Sequence, residues 1–210
     1  QSIRSIDQFT FTKPVTFFCG ENGSGKSTLL EALAIKNGLN PEGGTRNYDF
    51  STYDSYSSLH KHMRLWRSSK PDWMYFLRAE SFYNVATKEM EYGGIFSERY
   101  HDQSHGQSFF SLMMDQIKRN GLYFLDEPEA ALSCQNQLAL LYLIQSCVKQ
   151  NCQFIIATHS PILLGFPGAQ ILSFDEDKVE EVDYKSTSSY QTMKLFLDRY
   201  DYFVKDIQEN

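Results

Sequence analysis

Apolar positions along the chain fall into short continuous runs separated by polar, glycine-rich stretches. Val15-Thr16-Phe17-Phe18-Cys19 is one such run, apolar and rich in β-formers, and it ends at a glycine-rich loop. Ser27 to Ala34, rich in Leu, Glu and Ala, follows as a helix, so the opening unit reads as strand, loop, helix. From Asn37 to Pro71 the composition shifts to Gly, Ser, Tyr, Asp and His. One helix is predicted there, around Leu59 to Trp66, because Leu59, His62, Met63 and Trp66 would share a face. Trp73 to Arg78 reads as a strand. Glu80 to Tyr100, broken at Gly93-Gly94, reads as a small helical excursion. Then come a helix over Ser108 to Lys118, a fully apolar strand over Leu122 to Leu125, an amphipathic helix over Gln135 to Lys149 and a buried strand over Gln153 to Ala157. Gln170 to Phe174 and Val179 to Tyr184 flank the acidic turn Asp175-Glu176-Asp177 and predict an edge hairpin, and Tyr190 to Val204 closes the chain as a helix. Apolar strands alternating with helices imply a parallel sheet covered on both faces.

Composition narrows the class. The chain has 210 residues, 41% of them hydrophobic, with 16 Phe and 13 Tyr, enough for a sizeable core in one domain. Its net charge of −6 counts against a generic binder of phosphate backbones. Cys19, Cys134, Cys147 and Cys152 form no CxxC pair and no zinc spacing, a usage that fits a reducing cytoplasm. The longest apolar run, Leu138 to Ile144, is far short of a membrane helix. No signal peptide is recognised, and since Gln1 is not a methionine, residues ahead of it are expected.

The glycine-rich loop carries the first chemistry. Gly20-Glu21-Asn22-Gly23-Ser24-Gly25-Lys26-Ser27 fits G-x-x-x-x-G-K-[ST] between a predicted strand and a predicted helix, and Thr28 continues into that helix. Glycines allow the backbone to wrap a phosphate with its N–H groups inward, and the helix N-terminus adds a favourable field. Lys26 would reach the β- and γ-phosphates, and Ser27 would ligate Mg²⁺. Downstream, Leu122-Tyr123-Phe124-Leu125 ends in Asp126-Glu127, two carboxylates at a buried strand tip. That placement is expensive unless Asp126 holds Mg²⁺ through its water shell and Glu127 polarises an attacking water.

Further segments resemble the ATP-binding cassette (ABC) class of P-loop ATPases. They are Pro128 after Asp126-Glu127, Glu129-Ala130-Ala131-Leu132-Ser133, Thr158-His159-Ser160 after the next strand, and Ser104-His105-Gly106-Gln107 before the paired carboxylates. Within the class, the Asp-Glu-Pro-Glu-Ala-Ala-Leu-Ser continuation and Phe76-Leu77-Arg78-Ala79-Glu80-Ser81-Phe82 are similar to soluble RecF- and SMC-related bacterial ATPases. The resemblance implies an α/β P-loop NTPase fold: an ABC-like mixed sheet flanked by helices, one domain over 1–210, with an elaboration at about 37–72 and a small helical lid at about 80–103. It implies ATP and Mg²⁺ as cofactors and two chains meeting head to tail, each site taking Ser104, His105, Gly106 and Gln107 from the partner. His159 is then expected at the γ-phosphate and, with Glu127 and Lys26, forms the catalytic set. His105 stands where the common motif has glycine. Glu80 stands near the place of the glutamine that links sheet to lid, and is the stand-in for it around Mg²⁺. Ser133 replaces an aspartate that couples the two sites in transporters. Phe9 and Phe11 are candidates for adenine stacking, against the competing role of core packing.

The function expected is a soluble, cytoplasmic ATPase whose dimer closes on ATP, acting in DNA-related or defence processes. The alternative is the nucleotide-binding subunit of a transporter, and a P-loop small-molecule kinase ranks last because it leaves the Ser104 segment, Glu127 and His159 without a task. Lys61, Arg64, Arg67 and Lys70 near Trp66 and Trp73 make a local basic and aromatic cluster. The net charge does not support nucleic acid as a partner, and no membrane insertion is expected.

Overall fold

The computed structural model describes residues 6, 8–45, 57–78, 111, 113–176 and 178–209. Its centre is a six-stranded sheet in the order β2-β3-β4-β1-β5-β6. The strands are β1 (Val15–Cys19), β2 (Trp73–Arg78), β3 (Gly121–Asp126), β4 (Gln153–Ala157), β5 (Gln170–Ser173) and β6 (Glu180–Glu181). The first five pair in parallel, and β6 adds to β5 antiparallel, so the sheet is mixed. β1 and β3 lie side by side with β4 in this one sheet, as the alternation of strands and helices predicts.

Strand periodicity divides the core in two. Val15, Phe17, Tyr75, Leu77, Tyr123, Leu125, Phe154 and Ile156 enter one apolar cluster. Their chain neighbours Phe18, Met74, Phe76, Leu122, Phe124 and Ile155 enter the other. Successive side chains point to opposite faces of a strand, so continuous apolar runs are what a sheet covered on both sides requires. Helix α1 (Lys26–Lys36) covers the second face with Leu29, Leu30, Leu33 and Ala34. Helices α2 (Cys134–Val148) and α3 (Pro161–Leu164) cover the first with Leu140, Ile144, Leu163 and Leu164. The chain therefore leaves β1 toward one face and its neighbour β4 toward the other. That divergence opens a crevice at the carboxyl ends of these strands, where open α/β sheets bind ligands.

Several elements differ from expectation. Residues 59–66 form no α-helix: a 3₁₀ turn, Ser58–His62, gives way to extended chain. Leu59, Met63 and Leu65 pack against the second cluster while Arg64 is exposed and Trp66 is 83% exposed. Beyond the turn the inward positions thus alternate by two, and packing on α1 and the sheet overrides helical spacing. The helix expected to end at Lys118 is helical over 113–116. It stops where the Tyr123 hydroxyl accepts the Lys118 N–H (2.7 Å) and donates to the Lys118 carbonyl (3.0 Å). The closing helix is two, α4 (Ser188–Asp198) and α5 (Tyr200–Glu209), broken at Arg199. Phe196 packs across the break on Tyr200 and Phe203, at 5.8 Å between ring centroids in each case. Phe9 and Phe11 pack on the second cluster, with Phe9 edge-on to Phe11 and Phe18, which is the core role.

The helical excursion over Glu80 to Tyr100 and the lid at about 80–103 lie outside the described residues. Among the described residues no helix is long and apolar enough to cross a membrane. All four cysteines are free thiols, and burial pushes Cys19 and Cys147 up to about 11.

Candidate functional site

The glycine-rich loop runs from the tip of β1 into α1. Gly20, Gly23 and Gly25 hold φ of 138°, 79° and 104°, backbone conformations that L side chains resist. At Gly20 a Cβ would also lie 3.0 Å from Asp175 Oδ1 and 3.1 Å from the Asp175 nitrogen. The same oxygen accepts the Glu21 N–H at 2.8 Å, so the turn after β5 fixes the entry to the loop. Asp175 is in turn bonded by the hydroxyls of Ser173 (3.3 Å) and Ser188 (3.2 Å). In the sequence Asp175 reads only as part of an acidic turn; its proximity to Gly20 comes from the pairing of β1 with β5.

Gly25 is the N-cap of α1, and no side chain caps the helix there. The first-turn N–H groups are thereby left for a ligand, and their partial positive charge selects an anion. Lys26 is 3% exposed. Its ammonium folds back on its own loop, donating to the Gly20 carbonyl at 2.7 Å and the Glu21 carbonyl at 2.9 Å. Burial holds Lys26 below the ordinary lysine range, while the charges of Glu127 and Asp175 oppose that shift. A dehydrated cation beside unclaimed N–H groups is a site for phosphate. Ser27 is half-buried and Thr28 exposed on the first turn of the helix.

Opposite the loop, β3 ends at Asp126, 6% exposed. In the parallel register its partner on β2 is Arg78, whose Nε lies 3.5 Å from Asp126 Oδ2. Arg78 also pairs with Glu31 of α1 at 2.7 Å, joining the helix to both strand tips. In the sequence Arg78 ends a strand and has no task of its own; the signal available was its place within the family-like segment Phe76 to Phe82. Glu127 follows in a left-handed conformation (φ 48°, ψ 51°), with its N–H on the Ala157 carbonyl at 2.9 Å. Non-glycine residues hold that conformation at a cost of about 1–3 kcal/mol. The turn takes Glu127 off the strand and sets its Oε1 3.4 Å from His159 Nε2. Their side chains are 41% and 34% exposed, at the open edge of the site.

Lys26, Asp126, Glu127 and His159 are thus assembled around the tips of β1, β3 and β4. Ser133 caps α2 by accepting the Asn136 N–H (3.3 Å), a local reason for serine at that position. Ser160 caps α3 by accepting from Ile162 and Leu163, with Pro161 in the first turn. Glu129, read from sequence only as part of the family-like stretch, accepts the His159 N–H at 2.6 Å. Glu80, Ser104, His105, Gly106 and Gln107 lie outside the described residues. Among the described residues no three His, Cys, Asp or Glu side chains cluster as a metal cage.

The chain is similar in sequence to AAA and ABC-type ATP-binding proteins. A family model described as "AAA domain" matches residues 1–56, and one described as "AAA ATPase domain" matches residues 105–164. An "Uncharacterized ABC transporter ATP-binding protein" of Haemophilus influenzae is 29% identical over 196 residues, covering 80% of this chain and 73% of the relative. The "Cytochrome c biogenesis ATP-binding export protein CcmA" of Rhizobium etli is 29% identical over 171 residues, covering 73% of this chain and 78% of the relative. Among solved structures, cbiO1 from Clostridium perfringens is similar at 17% identity and a TM-score of 0.48, covering 96% of this chain and 90% of that one. The SMC head domain from Thermotoga maritima is similar at 15% identity and a TM-score of 0.47, covering 83% of this chain and 91% of that one. The phosphate loop entering α1, the paired carboxylates at the tip of β3, the two family matches and the ATP-binding relatives support an ABC-class P-loop ATPase.

Proposed function

We propose that the protein is an ATP-gated switch in which two chains close head to tail on ATP and separate after hydrolysis. The observation that carries this is the pairing of Glu127 with His159 at 3.4 Å on an edge that leaves both side chains substantially exposed. Hydrolysis is fastest where bulk water is kept from the reacting groups, and this edge needs a cover that the described residues of one chain do not supply. In this reading Ser104, His105, Gly106 and Gln107 of a second copy supply it.

The roles follow from the geometry. Lys26 exchanges its contacts with the Gly20 and Glu21 carbonyls for phosphate oxygens, joined by the N–H groups of the first turn of α1. Glu127 orients and polarises the attacking water, and His159 contacts the γ-phosphate from the tip of β4. Ser27 and Asp126 are hard oxygen donors of the kind Mg²⁺ takes, and few protein ligands suffice because nucleotide phosphates complete its shell. When bound, Mg²⁺ neutralises charge on those phosphates. Arg78, ion-paired with both Glu31 and Asp126, keeps the Asp126 carboxylate aimed. We place the protein in the cytoplasm, where ATP and reduced thiols coexist.

A second reading, an ATP-binding subunit that drives a transporter, is favoured by the two relatives, one named as an ABC transporter ATP-binding protein and one as an ATP-binding export protein. Both readings use the same closed dimer and differ in what it moves. The dimer itself is tested by activity against protein concentration. ATP turnover per chain is expected to rise with concentration until dimers saturate. Ser104→Arg should stay low and flat at every concentration while still binding ATP, because a bulky cation replaces a small hydroxyl in the segment proposed to meet the partner. Turnover per chain that is independent of concentration and unchanged by Ser104→Arg would refute the closed dimer.

A further inference from the structure

The turn after β3 and the loop after β4 belong to different strand–helix units, yet one side chain ties them together. Glu129 sits in the 3₁₀ turn Pro128–Ala131, and its Oε1 accepts the N–H groups of both His159 (2.6 Å) and Ser160 (3.2 Å). Its other oxygen, Oε2, is buried with no hydrogen-bond partner among the described residues. A half-dehydrated carboxylate is a costly way to satisfy two backbone donors that a neutral oxygen could serve. Such an arrangement fits a need for strong, directional contacts from an ionised acceptor at this place.

A second strut stands behind the first. The Ser160 hydroxyl donates to Gln137 Oε1 at 2.5 Å, and Gln137 Nε2 donates to the Leu132 carbonyl at 3.0 Å. Leu132 ends the same turn that Glu129 occupies. Ser160 and Gln137 are both buried, and the Ser160 N–H is further held by Thr158 Oγ1 at 3.0 Å. Residues 127–132 and 158–160 are therefore joined at a front point by Glu129 and at a rear point by Gln137. The front point lies directly on the backbone of His159, whose ring faces Glu127.

We propose that Glu129 is the positioning residue that holds His159 against Glu127, so that the turn after β3 and the loop after β4 move as one body. The inference rests on the reading that His159 acts in hydrolysis. Glu129 itself touches neither nucleotide nor water in this account; it acts only through the backbone of residue 159. Loss of its oxygen lets the His159 loop drift while the phosphate loop, on another strand, keeps its grip on ATP. The effect belongs in kcat rather than in KM.

The test is a double-mutant cycle on ATP turnover with the full chain, each variant checked for a cooperative thermal transition well above assay temperature. Glu129→Ala is expected to lower kcat by about tenfold or more with KM for ATP changed less than about twofold. Glu129→Gln keeps an acceptor oxygen but not its charge and should fall between Glu129→Ala and the parent, the partial rescue that placement by a charged acceptor predicts. In a His159→Ala background, Glu129→Ala should change kcat by less than about twofold, because the group it positions is already gone. If Glu129→Ala does not fold, Glu129→Asp takes its place, withdrawing the oxygen by one methylene while keeping the charge. Parent-level turnover in the Glu129 variants with an impaired His159→Ala overturns this inference alone. An undiminished loss in the His159→Ala background also overturns it. Parent-level turnover in His159→Ala itself overturns the role of His159, and the inference with it.

Discussion

Glu127→Gln is expected to lower kcat for ATP hydrolysis by about 100-fold or more while the dissociation constant for ATP changes by less than about threefold. The reason lies in timing. A carboxylate that polarises water acts only as the water attacks, so its loss is felt in the transition state and not in the bound ground state. Among the described residues Glu127 is not part of the loop that wraps the phosphates, although its charge is felt at Lys26. It stands off the end of β3 in a left-handed turn, beside His159 and at the exposed edge, whereas the phosphate loop is built on β1 and α1. The amide is close in size and keeps a carbonyl oxygen, so the backbone turn and the contact with His159 need not be lost. Single-turnover hydrolysis together with equilibrium nucleotide binding separates the two quantities. A variant that turns over at the parent rate would remove Glu127 as the group that activates water.

Lys26→Ala should act on the other quantity. The ammonium is already dehydrated in the free protein, where burial holds it below the ordinary lysine range and, among the described residues, two carbonyls of its own loop accept its hydrogen bonds. Folding has therefore already borne the desolvation that a surface lysine would incur on meeting phosphate. A charge-assisted contact of this kind is worth about 1.5–3 kcal/mol, which corresponds to a roughly 10- to 150-fold rise in the ATP dissociation constant. Truncation also relieves a buried cation, so thermal stability should fall little. Titration calorimetry with ATP measures the first, and a melting curve the second. Unchanged affinity would mean that the backbone N–H groups at the start of α1 hold the nucleotide without the lysine.

The strands and the phosphate loop were legible in the sequence because local and global demands coincide there. Val15–Cys19 and Gln153–Ala157 are apolar at every face because both faces are covered, and the loop glycines mark positive φ that few other residues accept. What stayed hidden depends on register and on turns. Arg78 meets Asp126 only because β2 and β3 pair in parallel with those residues opposite. Asp175 reaches Glu21 only because β5 lies beside β1. Glu129 reaches His159 through a left-handed residue that no apolar pattern signals. The misread segment at 59–66 failed for a related reason. Its Leu59 and Met63 have helical spacing, but Leu65 turns inward and Trp66 outward on extended chain, a choice set by the surface of α1 rather than by propensity. The first strand–loop–helix unit stands where short-range patterns put it, and the hairpin after β5 forms with a shorter second strand than expected, Glu180–Glu181, since Tyr184 enters a 3₁₀ turn.

The central claim is that ATP, and not ADP, joins two chains. It is tested most directly by sedimentation velocity of Glu127→Gln with Mg²⁺ and ATP, and again with Mg²⁺ and ADP, at one protein concentration. The account predicts a dimer with ATP, held because the bound nucleotide is not turned over, and a monomer with ADP, which lacks the γ-phosphate that the partner's Ser104 segment would contact. A monomer with both nucleotides, in protein that demonstrably binds ATP, would contradict it.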